Sequence, residues 1–125
     1  MTQTEKALQL IDLCARLPYN TKIAYCKPDK TEIVTLSLAT IKIIEAIPIY
    51  TDFPISVKPY LRPISSMTEE EREEYESYIK KGYFIDCFDW LNAHHFDYRG
   101  LIEKDLALKA PKGMYNSEKN NYDNN

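Results

Sequence analysis

One stretch of this sequence gathers the residue types that do chemistry: Asp86, Asp89, His94, His95, Asp97 and Arg99. Adjacent histidines with a carboxylate two residues on could hold a metal ion. A histidine beside an aspartate could also move a proton. The spacing, however, matches no metal motif with a known mechanism, such as HExxH. Neighbouring residues on a helix point in different directions, so one ion could not easily take both His94 and His95. Asp86 and Asp97 also stand where helices need caps. The preferred reading of His94, His95, Asp97 and Arg99 is therefore a corner between two helices. One histidine packs there, while Asp97 and Arg99 hydrogen-bond the turn. No metal, cofactor or catalytic residue is assigned, and the chain is not expected to be an enzyme.

A second set lies in a strand-like region. Lys58, Tyr60 and Arg62 alternate along it, among further lysines and tyrosines such as Lys22, Tyr25 and Lys42. Basic residues beside aromatics on a sheet could bind a nucleotide or a single strand. Asp29, Glu32, Glu45 and Asp52 dilute that charge, so an ordinary solvated sheet surface is the plainer reading. A third set is acidic: Glu70, Glu73 and Glu74 within the run from Glu69 to Glu76. It is either a face for a basic partner or simply a solvated helix surface. Cys14 and Cys87 read as small buried hydrophobes. The glycines, at 82, 100 and 113, are too scattered for a phosphate loop.

These residues must be positioned by the following elements. Residues 4–17 read as an amphipathic helix capped by Thr4, with Ala7, Leu10, Ile11, Cys14 and Leu17 inward. Pro18 ends it. Residues 21–62 favour strands: Thr21–Cys26, then Thr31–Leu36 after the Pro28-Asp29-Lys30 turn, Thr40–Ile47, and Ser56–Arg62. Pro59 argues that the last is an edge strand, and Ile49–Phe53 is a loop or an edge piece. Thr68 and Glu71 form a capping box for a helix that Gly82 stops, within residues 65–81. Asp86 is expected to cap a helix over Cys87–His94, burying Ile85, Phe88 and Leu91 beside Trp90. Asp97 is expected to cap another over Tyr98–Leu108, with Leu101, Ile102 and Leu106 inward.

The resulting fold class is α+β. An N-terminal helix and C-terminal helices pack on a small antiparallel sheet of three to four strands, a meander or barrel-like. Residues 1–115 make one globular domain and 116–125 a disordered tail. The length of 125 residues suits one core. Sixteen basic against nineteen acidic residues give a net charge of −3, too little to gather nucleic acid or an anionic membrane. Ten tyrosines favour contact surfaces, although tyrosine also fills the borders of small cores. Three widely spaced cysteines, no leader pattern and no membrane-length apolar stretch point to the cytoplasm.

Three stretches carry a resemblance. They are Asp12-Leu13-Cys14-Ala15-Arg16-Leu17-Pro18-Tyr19, Lys58-Pro59-Tyr60-Leu61-Arg62-Pro63-Ile64-Ser65-Ser66-Met67-Thr68-Glu69-Glu70-Glu71, and Asp89-Trp90-Leu91-Asn92-Ala93-His94-His95-Phe96-Asp97-Tyr98-Arg99-Gly100-Leu101-Ile102-Glu103-Lys104. In them the chain resembles small uncharacterised proteins of phages and prophage-like elements of gut anaerobic bacteria. Those relatives continue with a glycine and acidic residues where this chain has Asp105, Lys109 and Lys112. The resemblance implies a mobile-element origin and a bacterial host cell, and it implies no activity.

The expected function is that of a small interaction protein that touches a host or phage protein through its surface. The alternative is a binding module for a small nucleotide or nucleic acid, such as one that sequesters a host immune signal.

Overall fold

The computed structural model describes residues 1–48 and 54–115. The expected loop or edge piece at Ile49–Phe53 and the tail at 116–125 lie outside the described residues. Helix α1 spans Gln3–Ala15. Its cap is Thr2, not Thr4: Thr2 Oγ1 accepts from Glu5 N at 3.0 Å, and Thr2 N donates to Glu5 Oε1 at 2.8 Å. Strands β1 (Lys22–Cys26) and β2 (Thr31–Thr35) form the expected antiparallel hairpin.

The next segment departs from the expectation of a third strand. Leu38–Ala46 is a helix, α2, with Ser37 at its cap. Ile41 and Ile43 alternate with Lys42, which suggested a strand. The buried residues are instead Thr40, Ile41 and Ile44, at helical spacing, while Ile43 is exposed. Tertiary packing of that face outweighs the β-branched composition. Lys6 reaches across to donate to Glu45 O and Ile47 O, occupying carbonyls at the end of α2.

Strand β3 (Ser56–Leu61) pairs antiparallel with β1, and β4 (Leu108–Lys109) pairs parallel with β3. The sheet order is β2-β1-β3-β4, so the sheet is mixed and β3 is not an edge. Pro59 is tolerated because β4 pairs only with Tyr60 and Leu61, beyond the residue that lacks an N–H.

Helix α3 (Glu69–Lys81) has the expected Thr68–Glu71 capping box and stops at Gly82 in the left-handed region, φ 74°. Helix α4 (Phe84–Ala93) begins earlier than expected, so Asp86 lies inside its first turn and caps nothing. The helix expected over Tyr98–Leu108 does not form. Residues 101–105 are turns leading into β4. Asp97 nevertheless receives two backbone N–H groups, from Leu101 at 2.8 Å and Ile102 at 2.9 Å. It organises a turn where a helix cap was expected, and Leu101 and Leu106 are buried as anticipated.

The apolar interior falls into three clusters. Leu13, Ile23, Leu36, Ile41, Ile44 and Val57 lie between the sheet and α1 and α2. Met67, Cys87, Trp90, Leu91 and Phe96 lie under α3 and α4. Leu61, Leu101, Leu106 and Ala107 fill the space by β4. The helical assignment of α2 makes a discriminating prediction. Ile44→Ala should cost about 2–5 kcal/mol in denaturant unfolding, as a cavity in a core does. Ile43→Ala should cost less than about 1 kcal/mol. Equal large losses at Ile41 and Ile43, with little at Ile44, would restore the strand.

Candidate functional site

The inner face of α1 is Gln9, Asp12, Leu13 and Arg16, spaced i, i+3, i+4, i+7. Three of the four are polar. The expected stripe faces inward only in part: Leu10 and Leu17 pack against the core, while Ala7, Ile11 and Cys14 are exposed, so Cys14 is not a buried hydrophobe. Cys87 is buried, and burial pushes its thiol pKa up.

Asp12 and Arg16 are both fully buried. Arg16 donates from Nε to Asp12 Oδ2 at 2.8 Å and from Nη2 to Asp12 Oδ1 at 3.0 Å. Arg16 Nη2 also donates to Phe96 O at 2.8 Å. Arg99 Nε adds a third charge, donating to Asp12 Oδ1 at 3.0 Å. Both guanidiniums lie over the Tyr98 ring. A carboxylate that accepts from two guanidiniums has its charge well compensated, which is what allows it to leave water.

A second ion pair grips the other side of the corner. Arg62 donates to Glu71 Oε2 at 2.9 Å and Oε1 at 2.8 Å, a two-pronged bond in the interior. Its guanidinium lies 4.2 Å above the Phe96 ring and also donates to His94 O. Burial raises the Glu71 pKa, but the His94 ring, Arg62 and the Thr68 N–H outweigh it and hold the carboxyl at about 2. The backbone joins the same place: Arg62 N donates to His95 O at 2.7 Å and Asp97 N to Arg62 O at 2.8 Å.

His95 points the opposite way from His94. It sits at φ 65°, buried, with Nδ1 3.3 Å from Thr21 Oγ1 and its ring stacked on Tyr115 at 3.7 Å. Tyr115 Oη donates to Tyr60 O at 2.7 Å and accepts from Lys22 N at 2.8 Å. Burial, reinforced by Arg16 and other nearby cations, pulls His95 down to about 3. The Tyr115 hydroxyl is pushed up to about 12, mainly by burial.

His94, His95, Asp97 and Arg99 therefore share a corner without converging on a cleft. His94 packs on Trp90 at 4.3 Å, His95 faces the sheet, Asp97 holds backbone amides and Arg99 holds Asp12. Among the described residues no group of three or more His, Cys, Asp or Glu could hold a metal ion. Lys58 and Arg62 are engaged by separate carboxylates. Lys58 Nζ donates to Asp105 Oδ1 at 2.8 Å, while Arg62 is sealed against Glu71. Glu70, Glu73 and Glu74 are exposed on α3, and Glu71 is the member of that run that turns inward.

Sequence reasoning missed Asp12, Arg16, Glu71 and Tyr115 as network members. The i, i+4 spacing of Asp12 and Arg16 was a usable signal. It also missed an apolar surface. Ile79, Tyr83, Phe84, Ile85 and Phe88 are all exposed where α3 turns into α4, Ile85 by 80%. Ile85 and Phe88, expected inside, are outside because Cys87, Trp90 and Leu91 form the buried face of α4. Comparison of the chain with family models, curated proteins and solved structures finds no match.

The two depressed pKa values fix a pH dependence. Folded His95 releases its proton at about 3 against 6.5 ordinarily, so its contribution is complete above pH 6.5 and is lost as pH falls. Glu71, at about 2 against 4.5, contributes fully above pH 4.5 and is lost below it. Unfolding free energy should fall by up to about 1.4 kcal/mol per pH unit between pH 6.5 and 4.5, then more steeply. Because asparagine tolerates positive φ, His95→Asn should flatten the upper window only. An unchanged slope in that variant would remove His95 from the network.

Proposed function

We propose that the protein acts by surface contact with a protein partner, and that its contact surface is the turn between α3 and α4. The observation that carries this reading is the exposed set Ile79, Tyr83, Phe84, Ile85 and Phe88. Residues 81–86 are exposed without a break, and three large apolar side chains stand among them. At ~150–250 Å² per aromatic side chain, half-exposed rings already show a few hundred Å² together. Apolar patches of that extent mark interaction sites. Aromatic residues are the usual anchors of protein interfaces.

The partner is a host or phage protein with an apolar groove. The charge beside the turn is mixed: Lys80 and Lys81 close α3 and Asp86 and Asp89 lie on the exposed side of α4, while Glu70, Glu73 and Glu74 lie further back on α3. Such charge steers encounter and fixes register more than it adds affinity. The mobile-element origin rests on the three resembling stretches, and the bacterial cytoplasm is the proposed place of action. The reading assigns no catalysis, since the ionisable residues of the corner hold one another and the backbone.

The test is a reconstituted complex. The partner is trapped by cross-linking in host cells, purified, and titrated with the wild type and with Ile85→Asp. An exposed substitution should leave unfolding stability within about 0.5 kcal/mol. Affinity should nevertheless drop at least about tenfold, as expected for an interface anchor. Wild-type affinity in Ile85→Asp would contradict the proposal. So would a dimer of this chain that Ile85→Asp dissolves, because a second copy would then be the occupant.

A further inference from the structure

A cavity of about 290 Å³ opens between α1, α2, β3 and the turn before β4. Its walls are aliphatic, with Ile44, Ile47, Val57 and Leu106 among them, and Lys58 and Lys104 line it too. The volume is at the small end of ligand pockets, which run from roughly 300 to 1,000 Å³. It suits a molecule of mononucleotide size or smaller.

Gln9 gives the cavity a polar group of defined orientation. The side chain is 2% exposed and lines the cavity. Its Nε2 donates to Val57 O at 3.1 Å and to Leu106 O at 2.9 Å. Both amide protons are thus used, which settles which end of the amide is oxygen. Gln9 Oε1 accepts from no group among the described residues. Solvent reaches that oxygen, so a ligand that brings an N–H replaces water there. The cationic side is also underused. Lys58 spends one of three protons on Asp105, and no ion pair engages Lys104 among the described residues. Glu5, the acid nearest α1's start, is committed to the helix cap.

We infer that this cavity binds a mononucleotide: the base lies between the aliphatic walls with an N–H on Gln9 Oε1, and the phosphate meets Lys58 and Lys104. An apolar body, a hydrogen-bond donor and an anion are the three features the lining selects, and a nucleoside monophosphate supplies all three. The inference stands on different residues from the proposed protein contact and does not depend on it.

Isothermal titration of the full chain decides it, with the four ribonucleoside monophosphates, their nucleosides, inorganic phosphate and octanoate as probes. At least one monophosphate should bind, with its nucleoside about tenfold weaker through loss of the charged contacts. Lys104→Glu, an exposed change, should weaken the nucleotide by about the same factor. Ile47→Trp, which fills the cavity and spares both lysines, should abolish binding, with thermal unfolding confirming the fold. Ile85→Asp should leave nucleotide affinity unchanged. Failure of every monophosphate to bind would overturn the inference. So would binding of octanoate alone, phosphate binding as tightly as the nucleotide, or wild-type affinity in both Lys104→Glu and Ile47→Trp.

Discussion

Arg16 carries a full positive charge with none of its surface exposed. Removing such a group from water costs several kcal/mol unless geometry and hydrogen bonding are both good. Asp12 supplies the countercharge from one turn earlier on the same helix, and Phe96 O supplies an acceptor from the far end of the chain. That last bond spans eighty residues. The corner at 94–99 must sit against α1 for Arg16 to gain that acceptor, and Arg16 Nη1 still has none among the described residues. Arg99 completes the arrangement from the corner's own side. Breaking one partner of a buried pair typically costs about 3–5 kcal/mol, because the other is left uncompensated. The docking of the C-terminal part on the sheet is therefore specified by charge as well as by apolar contact.

The same corner is gripped from two other directions. Arg62 and Glu71 join the end of β3 to the start of α3, with Phe96 beneath the guanidinium. His95 and Tyr115 fasten the corner to β1 and β3. His94, His95, Asp97 and Arg99 each contact a group that fixes the fold, while Asp86 and Asp89 stand exposed on α4. The contact proposed above uses surfaces that this network holds in place. The α3–α4 turn is the proposed one, and among the described residues Phe88 of its apolar set contacts the Tyr98 ring at 5.4 Å.

How much of this was legible in the sequence follows from where the information is local. The start and stop of α3 were readable because Thr68, Glu71 and Gly82 act on their nearest neighbours. The β1–β2 hairpin was readable from Pro28-Asp29-Lys30 and the flanking β-formers. The corner itself was anticipated as structural, although its partners were not. Helix α2 was misread because Ile41 and Ile43 alternate locally, while the burial of Ile44 is decided by the sheet it packs on. The inner face of α1 was misread because hydrophobic periodicity cannot register a buried ion pair. The outward face of α4 was misread for the converse reason. Its most apolar residues are not its buried ones, and only the position of α3 decides which side is covered.

In the proposed function the α3–α4 surface binds and the buried network only holds. Hydrogen–deuterium exchange on the free protein and on its complex measures both at once. New protection should appear over residues 79–88, while 94–99 should exchange slowly and equally in the two states. New protection confined to 94–99, with the α3–α4 turn unchanged, would contradict the account and return the histidine corner to the centre of function.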